Sequence, residues 1–423
     1  MKIFNLKEKM HEALKEALKR GLEAFEEAIE IVKTIVKDVR DKGDKAVKIY
    51  DKKFSKIAND YEIRVSRSEI DEAYSHVDRD FIEALKTAID IVRRFHEEEK
   101  PRPWIKEIVR GVKVGVLPRP VEIVGLYIPG GRAPYPSTAI MTCIPAKVAG
   151  VSKVVACTPP GPDGKLNPYV LVALNESGVD EVYKAGGAQA IAAMAYGTES
   201  ITKVDVVAGP GNIYVTAAKY LVSNVVGIDV LAGPSELLVI ADESADPKLI
   251  ALDLASQAEH DPLSQIALAT TDLRIAKEVV EELKLIAEEN LVVGEVLEKH
   301  FIVVYGDPKK LVDFANAYAP EHLQLMVSKP EEYINDIGAS GILLVGVNSP
   351  TALSDYCAGP SHVLPTGKCS RFRSGVSTLT FTKLMHYVEV DELNEEIFRA
   401  AIKLAEVEGF KLHAEALRRR LRG

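Results

Sequence analysis

The sequence predicts an α/β fold with two parallel-rich sheets and helical segments at both ends. Three observations carry that expectation. In residues 1–100 apolar positions recur every three and four residues, as in Ile31, Val32, Ile35, Val36 and Val39, which is the period of amphipathic helices. From residue 121 short β-rich runs alternate with helical runs, the grammar of a parallel sheet covered by helices. The alternation fills 121–236 and restarts over 237–350, so each half is expected to build its own sheet.

Taken in order, DKGDKAVKIYDKKF reads as a turn followed by a helix. VEIVGLYIPGG is a strand ending in glycines, and STAIMTCIPAKVAG a helix with Ser137 as its expected N-cap. VSKVVACTPP, EVYKAGG and VDVVAGPG read as strands, with NPYVLVALNESG, AQAIAAMAYG and NIYVTAAKYLVSN as the helices that follow them. In the second half ELLVIAD, SQIALATT, FIVVYG and GILLVGV are strands. PKLIALDLASQAEH, LRIAKEVVEELKLIAEE and PKKLVDFANAYAPEH are helices. The halves share this grammar and no sequence repeat. The tail from residue 380 reads as predominantly helical, suited to packing back or reaching another chain.

The chain has 423 residues, 47% hydrophobic and 27% charged, an ordinary globular composition long enough for more than one domain. A net charge of −9 lacks the basic footprint of a nucleic-acid binder. The terminal RRRLRG reads as cations suited to a helix C-terminus. No apolar run reaches about 18 residues, so no membrane span is expected. The N-terminus is helical and charged, without the apolar core of a secretion signal. Cys143, Cys157, Cys357 and Cys369 are scattered and form no CxxC pair. Reduced thiols and a cytoplasmic location are the expectation.

Two glycine-rich turns follow strands: Gly130-Gly131 in LYIPGGRAPYPST, and Gly209 with Gly211 in VAGPGNIYVT. Such turns let backbone N–H groups approach a phosphate at a helix N-terminus. Neither is GxGxxG, and a turn needing positive φ explains them equally well. Ser235 has no GxSxG elbow around it and reads as a turn serine or a substrate hydrogen-bond donor. Of nine histidines, His11, His76, His96 and His300 lie on charged helical faces and read as solvated, and His386 as structural. Four keep other company. His260 follows Gln257 and Glu259, His322 adjoins Glu321, His362 lies seven residues after Asp355, and His413 five after Glu408. Glu321-His322, after Pro320, is either a surface pair at a helix end or a proton-transfer pair near neutral pH. Gln257, His260, Asp355 and His413 offer the mixed N/O donors that Zn²⁺ takes. Their wide separation leaves unrelated polar residues as the alternative.

GLYIPGG, AGGAQAIAAMAYGT, AGPGNIYVTAAK, LAGPSELLVIAD, LASQAEHDPLSQ, YAPEHLQL, SDYCAGPSHVLPTG and EGFKLHAEA occur in this order. Through them the sequence resembles the histidinol dehydrogenase family, from about residue 20 to its end. The resemblance implies two incomplete Rossmann-like α/β domains. Residues 121–236 would form the NAD side, and 21–120 with 237–378 the domain carrying zinc and acid/base residues. A helical arm over 1–20 and a C-terminal helical segment over 379–423 would mediate dimerisation. The implied ligands of one Zn²⁺ per subunit are Gln257, His260, Asp355 and His413, the last from the other subunit of a homodimer. Glu321 and His322 are implied as the acid/base pair. Ser235, His362 and Glu408 join the zinc ligands and that pair as implied contacts to L-histidinol. Tyr127, Gln189 and Asn212 are the implied contacts to NAD. Asp261 stands where many relatives carry Gly, and no functional change attaches to it.

The implied reaction takes L-histidinol through L-histidinaldehyde to L-histidine with two NAD⁺ and one water. Losing hydride from an alcohol calls for a base, the role given to His322. Hydrating the aldehyde calls for an activated water, the role given to Glu321. Zinc would orient the substrate through its nitrogens. Two other readings stand beside this one. A zinc hydrolase using Glu321 would need neither the NAD turns nor a second α/β half. A non-catalytic nucleotide-binding protein would leave the QAEH, PEH and DYCAGPSH clusters unexplained.

Overall fold

The β-rich runs pair in parallel, and in the computed structural model, which describes residues 2–18, 22–57, 60–130 and 133–422, they form two sheets of one strand order. Gly131 of the first glycine turn, and residues 1, 19 and 20 of the N-terminal arm, lie outside the described residues. Contacts divide the chain into two units, Met1–Glu99 with Val121–Phe381, and Lys100–Pro120 with Thr382–Gly423.

The first unit opens with β1 (Lys2–Asn5), α1 (Leu6–Ala17), α2 (Leu22–Lys42), α3 (Asp44–Ser55), α4 (Arg67–Tyr74) and α5 (Arg79–Glu99). The chain then supplies β2 (Trp104–Val109) and β3 (Val112–Pro120) to the second unit. It returns with β4 (Ile123–Tyr127), α6 (Pro136–Ala149), β5 (Lys153–Thr158), α7 (Pro168–Ser177), β6 (Glu181–Lys184), α8 (Gly187–Tyr196), β7 (Val206–Ala208), α9 (Ile213–Val222) and β8 (Gly227–Ile228). A second round follows: β9 (Glu236–Ala241), α10 (Pro247–Ala258), β10 (Gln265–Thr270), α11 (Leu273–Glu289), α12 (Leu291–Lys299) and β11 (Phe301–Tyr305). It closes with α13 (Pro308–Tyr318), β12 (His322–Met326), α14 (Glu331–Ile334), β13 (Ile342–Val345) and α15 (Thr351–Tyr356).

The five-stranded sheet runs β6-β5-β4-β7-β8 and the six-stranded sheet β1-β11-β10-β9-β12-β13, with every pairing parallel. Numbered within its own round, each sheet reads 3-2-1-4-5, the dinucleotide-binding order without its sixth strand. The N-terminal β1 adds one strand at the outer edge of the larger sheet, where the sequence suggested only helix. The order reverses between β4 and β7 in one sheet, and between β9 and β12 in the other. Such switch points leave a crevice between helices that run to opposite faces.

The central strands β9 and β10 are buried along their whole length, as expected of parallel strands covered on both faces. Their sequences are therefore continuous apolar runs rather than alternating ones. Helix α8 is buried from Ala188 to Ala195; its small side chains let α2 and α9 pack closely on it. Helix α6 starts at Pro136, two residues earlier than a Ser137 cap would start it. Pro136 occupies its first turn and Tyr135 precedes it with no side-chain cap, because proline's fixed φ suits the first helical position. His96, read as solvated, is wholly buried and 2.8 Å from a Glu99 carboxylate oxygen. It continues the core-facing series Leu85, Ala88, Val92 of α5, a helical spacing that outweighs its charged neighbours.

In the second unit β2 and β3 form an antiparallel hairpin, and β14 (Thr382–Val390) pairs with β3 over nine residues. The C-terminal tail is thus helical only after this strand, in α16 (Glu395–Val407) and α17 (Lys411–Arg422). His386 is an exposed residue of β14. Among the described residues no helix is long and apolar enough to cross a membrane.

Candidate active site

Glu321 and His322 do not lie at a helix end. Helix α13 stops at Tyr318, Ala319 takes a left-handed conformation (φ 51°), and His322 is the first residue of the central strand β12. Both side chains are buried, at 6% and 3% exposure. Two carboxylates there hold each other's backbone. The Glu321 N–H donates to a Glu236 carboxylate oxygen, and the Glu236 N–H donates to a Glu321 carboxylate oxygen, each at 2.9 Å. The other Glu236 oxygen accepts from the Gly367 N–H at 2.7 Å. His322 Nδ1 lies 3.1 Å from the Glu236 carbonyl oxygen, so Nδ1 donates there and Nε2 is the position at which the ring gains or loses its second proton. That Nε2 is buried without a hydrogen-bond partner, 3.6 Å from an Asp355 carboxylate oxygen. Glu236, which holds this network together, was given no role by sequence reading. Its signal was a charged side chain opening the otherwise apolar strand ELLVIA.

Burial raises the Glu321 carboxyl above its ordinary range, the Glu236 and Asp355 charges adding to it and His322 opposing. For His322 burial pulls downward, but the Glu321 and Asp355 carboxylates outweigh it and hold the imidazole raised. Both groups therefore hold protons more tightly than they would in water.

Around the pair stand most of the other expected residues. Ser235 directly precedes β9. Helix α10 ends at Ala258, with Gln257 in its last turn and His260 two residues beyond. Asp355 lies in α15, which packs on α10, and its carboxylate is 3.9 Å from His260 Nε2. His362 bridges the two rounds of the fold: Nδ1 lies 2.9 Å from the Asp355 carbonyl oxygen and Nε2 3.2 Å from the Thr138 hydroxyl of α6. Burial holds the His362 imidazole below its ordinary value. Gln257 is buried and its side-chain oxygen has no partner. An orphaned amide oxygen costs about 1–3 kcal/mol unless something fills its coordination. Among the described residues no three His, Cys, Asp or Glu side chains assemble as a metal-binding group. Of the expected N/O donors, His260 and Asp355 approach each other, and Gln257 stands three residues before His260 in the last turn of α10. His413 in α17 and Glu408, the C-cap of α16, are exposed residues of the second unit.

Of the residues expected to contact NAD, Tyr127 and Asn212 stand at the switch point of the five-stranded sheet, and Gln189 lies in α8, which follows the edge strand β6. Tyr127 ends β4, and its hydroxyl accepts from the Gly187 N–H at 2.9 Å. Burial pushes the phenol up to about 12, so it stays protonated. Asn212 caps α9, its side-chain oxygen accepting from the Tyr214 and Val215 N–H groups at 3.0 and 3.1 Å. The turn before it is clamped by a buried ion pair: Lys219 Nζ donates to the Gly209 carbonyl and to Asp229 (2.5 Å), whose other oxygen accepts from the Gly209 N–H at 2.8 Å. Gly209 has φ 123°, and a β-carbon there would fall on the Tyr127 carbonyl oxygen. Gly209→Ala is therefore expected to lose about 1–3 kcal/mol from conformation alone, read as a lowered denaturant midpoint. An unchanged midpoint would show that this turn tolerates a side chain.

Gln189, 1% exposed, donates from Nε2 to Asp51 of α3 at 2.7 Å. Burial pushes the Asp51 carboxyl from 3.8 up to about 6, against the donors Gln189, Tyr61 and Gly186 that pull it down. The folded chain thus binds this proton more tightly than the unfolded chain. The stability contributed by protonated Asp51 is fully present below about pH 3.8 and is lost as pH rises through about 6. That share is roughly 3 kcal/mol, at about 1.4 kcal/mol per pH unit between the two values. The wild-type unfolding free energy should accordingly fall more steeply across this window than that of Asp51→Asn. Parallel curves would refute the shift.

The fold and the site define an α/β enzyme with a buried Glu-His pair at the amino end of strand β12. The family model described as histidinol dehydrogenase matches residues 18–421. The chain belongs to the histidinol dehydrogenase family, oxidoreductases of histidine biosynthesis. It is 44% identical over 396 residues to the histidinol dehydrogenase of Methanothermobacter thermautotrophicus, covering 92% of each chain. To that of Clostridium acetobutylicum it is 42% identical, covering 92% of this chain and 91% of the other. The crystal structure of histidinol dehydrogenase from Elizabethkingia anophelis superposes with a TM-score of 0.94 at 37% identity, over 100% of this chain and 98% of that one.

Proposed function

We propose that this chain oxidises L-histidinol to L-histidine through L-histidinaldehyde, with NAD⁺ as the hydride acceptor and one Zn²⁺ per subunit. The observation that carries the chemistry is the unpartnered, buried Nε2 of His322, its ring oriented by the Glu236 carbonyl. With Nδ1 protonated, the neutral form of the ring can take the hydroxyl proton at Nε2 as hydride leaves the alcohol carbon. Glu321, one carboxylate oxygen held by the Glu236 N–H, takes a proton from the water that adds to the aldehyde. Burial excludes other water and keeps both groups from titrating as they would in solvent.

The orphaned Gln257 oxygen, the His260 imidazole and the Asp355 carboxylate suit zinc, with His413 of the partner subunit as the fourth ligand. Bound there, Zn²⁺ would supply a fixed point for the imidazole and amino nitrogens of the substrate. Ser235, His362 and Glu408 would hold the rest of it, and Tyr127, Gln189 and Asn212 the NAD. A homodimer is further supported by apolar side chains exposed in the second unit, among them Ile108, Val388, Val407 and Leu412 at 63, 69, 73 and 84%. Histidinol and NAD⁺ should yield NADH absorbance, lost on chelation and restored by Zn²⁺. Absence of NADH would overturn the proposal and leave a hydrolytic reading standing.

A further inference from the structure

Asp51 lies on no motif that the reaction uses, yet it is wholly buried among polar groups. Three donors converge on its carboxylate: Gln189 Nε2 at 2.7 Å, the Tyr61 hydroxyl at 2.7 Å and the Gly186 N–H at 3.1 Å. A buried carboxylate is a costly way to join helices, and apolar residues of similar volume would join them at least as well. What a carboxylate adds is direction. It accepts and does not donate, so the Gln189 amide must present its nitrogen to Asp51 and its oxygen to the other side. That oxygen is buried without a partner and lies 3.1 Å from where a β-carbon on Gly187 would stand. Gly187 therefore leaves open the space the oxygen faces. The same glycine donates its N–H to Tyr127, so the oxygen sits in the turn expected to meet the cofactor.

We propose that Asp51 is a positioning residue of the cofactor site: it fixes the Gln189 amide so that an acceptor, rather than a donor, faces the dinucleotide. The group recognised there is a hydrogen-bond donor, a hydroxyl or an exocyclic amine. This rests on the reading of Gln189 as an NAD contact. The carboxyl's high proton affinity agrees with a site shielded from water, where the hydrogen-bond sense of one amide carries weight.

The test is steady-state kinetics of the whole enzyme with saturating histidinol and varied NAD⁺. Asp51→Asn can donate to Gln189 and so allows its amide to turn over. It should raise the NAD⁺ KM about tenfold, the effect of one polar contact reversed, with kcat and the histidinol KM within about twofold. Gln189→Ala should raise the NAD⁺ KM as well, and the double variant no further than Gln189→Ala alone, since the two residues act through one amide. Tyr61→Phe removes a donor from Asp51 without touching Gln189. It should lower the unfolding midpoint and leave the NAD⁺ KM unchanged, which separates orientation from packing. If Asp51→Asn does not fold, the smaller Asp51→Ser serves in its place. An NAD⁺ KM raised by Gln189→Ala but not by the Asp51 variant, or effects that multiply in the double variant, would overturn the proposal. An NAD⁺ KM indifferent to Gln189→Ala overturns the underlying contact and this proposal with it.

Discussion

His322→Asn is expected to lower kcat for histidinol oxidation by about 10²–10⁴-fold, the range of a lost general base. Asparagine keeps the side chain polar and can still donate to the Glu236 carbonyl, so the strand start should survive. What it lacks is a lone pair of imidazole basicity where Nε2 now stands, buried and 3.6 Å from Asp355. Glu321→Gln separates the two half-reactions. A glutamine amide cannot take a proton from water, so oxidation of supplied histidinaldehyde should suffer more than that of the alcohol. In His322→Asn the order should reverse. Equal losses on both substrates in both variants would sink this division of labour.

The second large effect concerns the ligand set. Asp355→Asn and His413→Asn enzymes should each be nearly inactive, because each deprives every site of one donor. Coexpressed, they should regain activity. In a mixed dimer, one site joins an intact Asp355 to an intact His413 from the other chain, while the second site lacks both. Random pairing in a two-fold dimer makes half the dimers mixed, so roughly a quarter of all sites are restored. Activity near that level supports the shared site. No recovery in a demonstrated mixed dimer means both ligands come from one chain.

Much of the α/β rounds was legible because parallel strands buried on both faces spell continuous apolar runs, and their helices carry proline, aspartate or asparagine at their starts. Pro247 and Pro308 open α10 and α13 as the runs suggested. The antiparallel sheet was not legible. The partners Val112 and Val390 are far apart in sequence, and no local pattern reports such pairing. The common strand order of the two sheets was equally hidden, since order is decided by which strands meet and not by what each contains. Within the site, Glu321-His322 stood out as a pair, but its burial did not. Helix α13 ends before Pro320, and the next residues enter the centre of a sheet. Asp51 gave no sign at all: in KIYDKKF it is flanked by Tyr50 and Lys52, and only the arrival of Tyr61 and of the distant Gly186 and Gln189 makes it an interior group.

The reciprocal bonds between Glu236 and Glu321 tie the site to the most protected part of the chain. Each glutamate's amide hydrogen is engaged by the other's carboxylate at the first rungs of the central β9–β12 pairing. Neither amide can exchange with solvent while those rungs hold, and local opening there amounts to parting the middle of the sheet. Glu321 and His322 therefore do not breathe on their own. Whatever motion admits substrate and releases product must belong to the surrounding loops and leave this ladder closed.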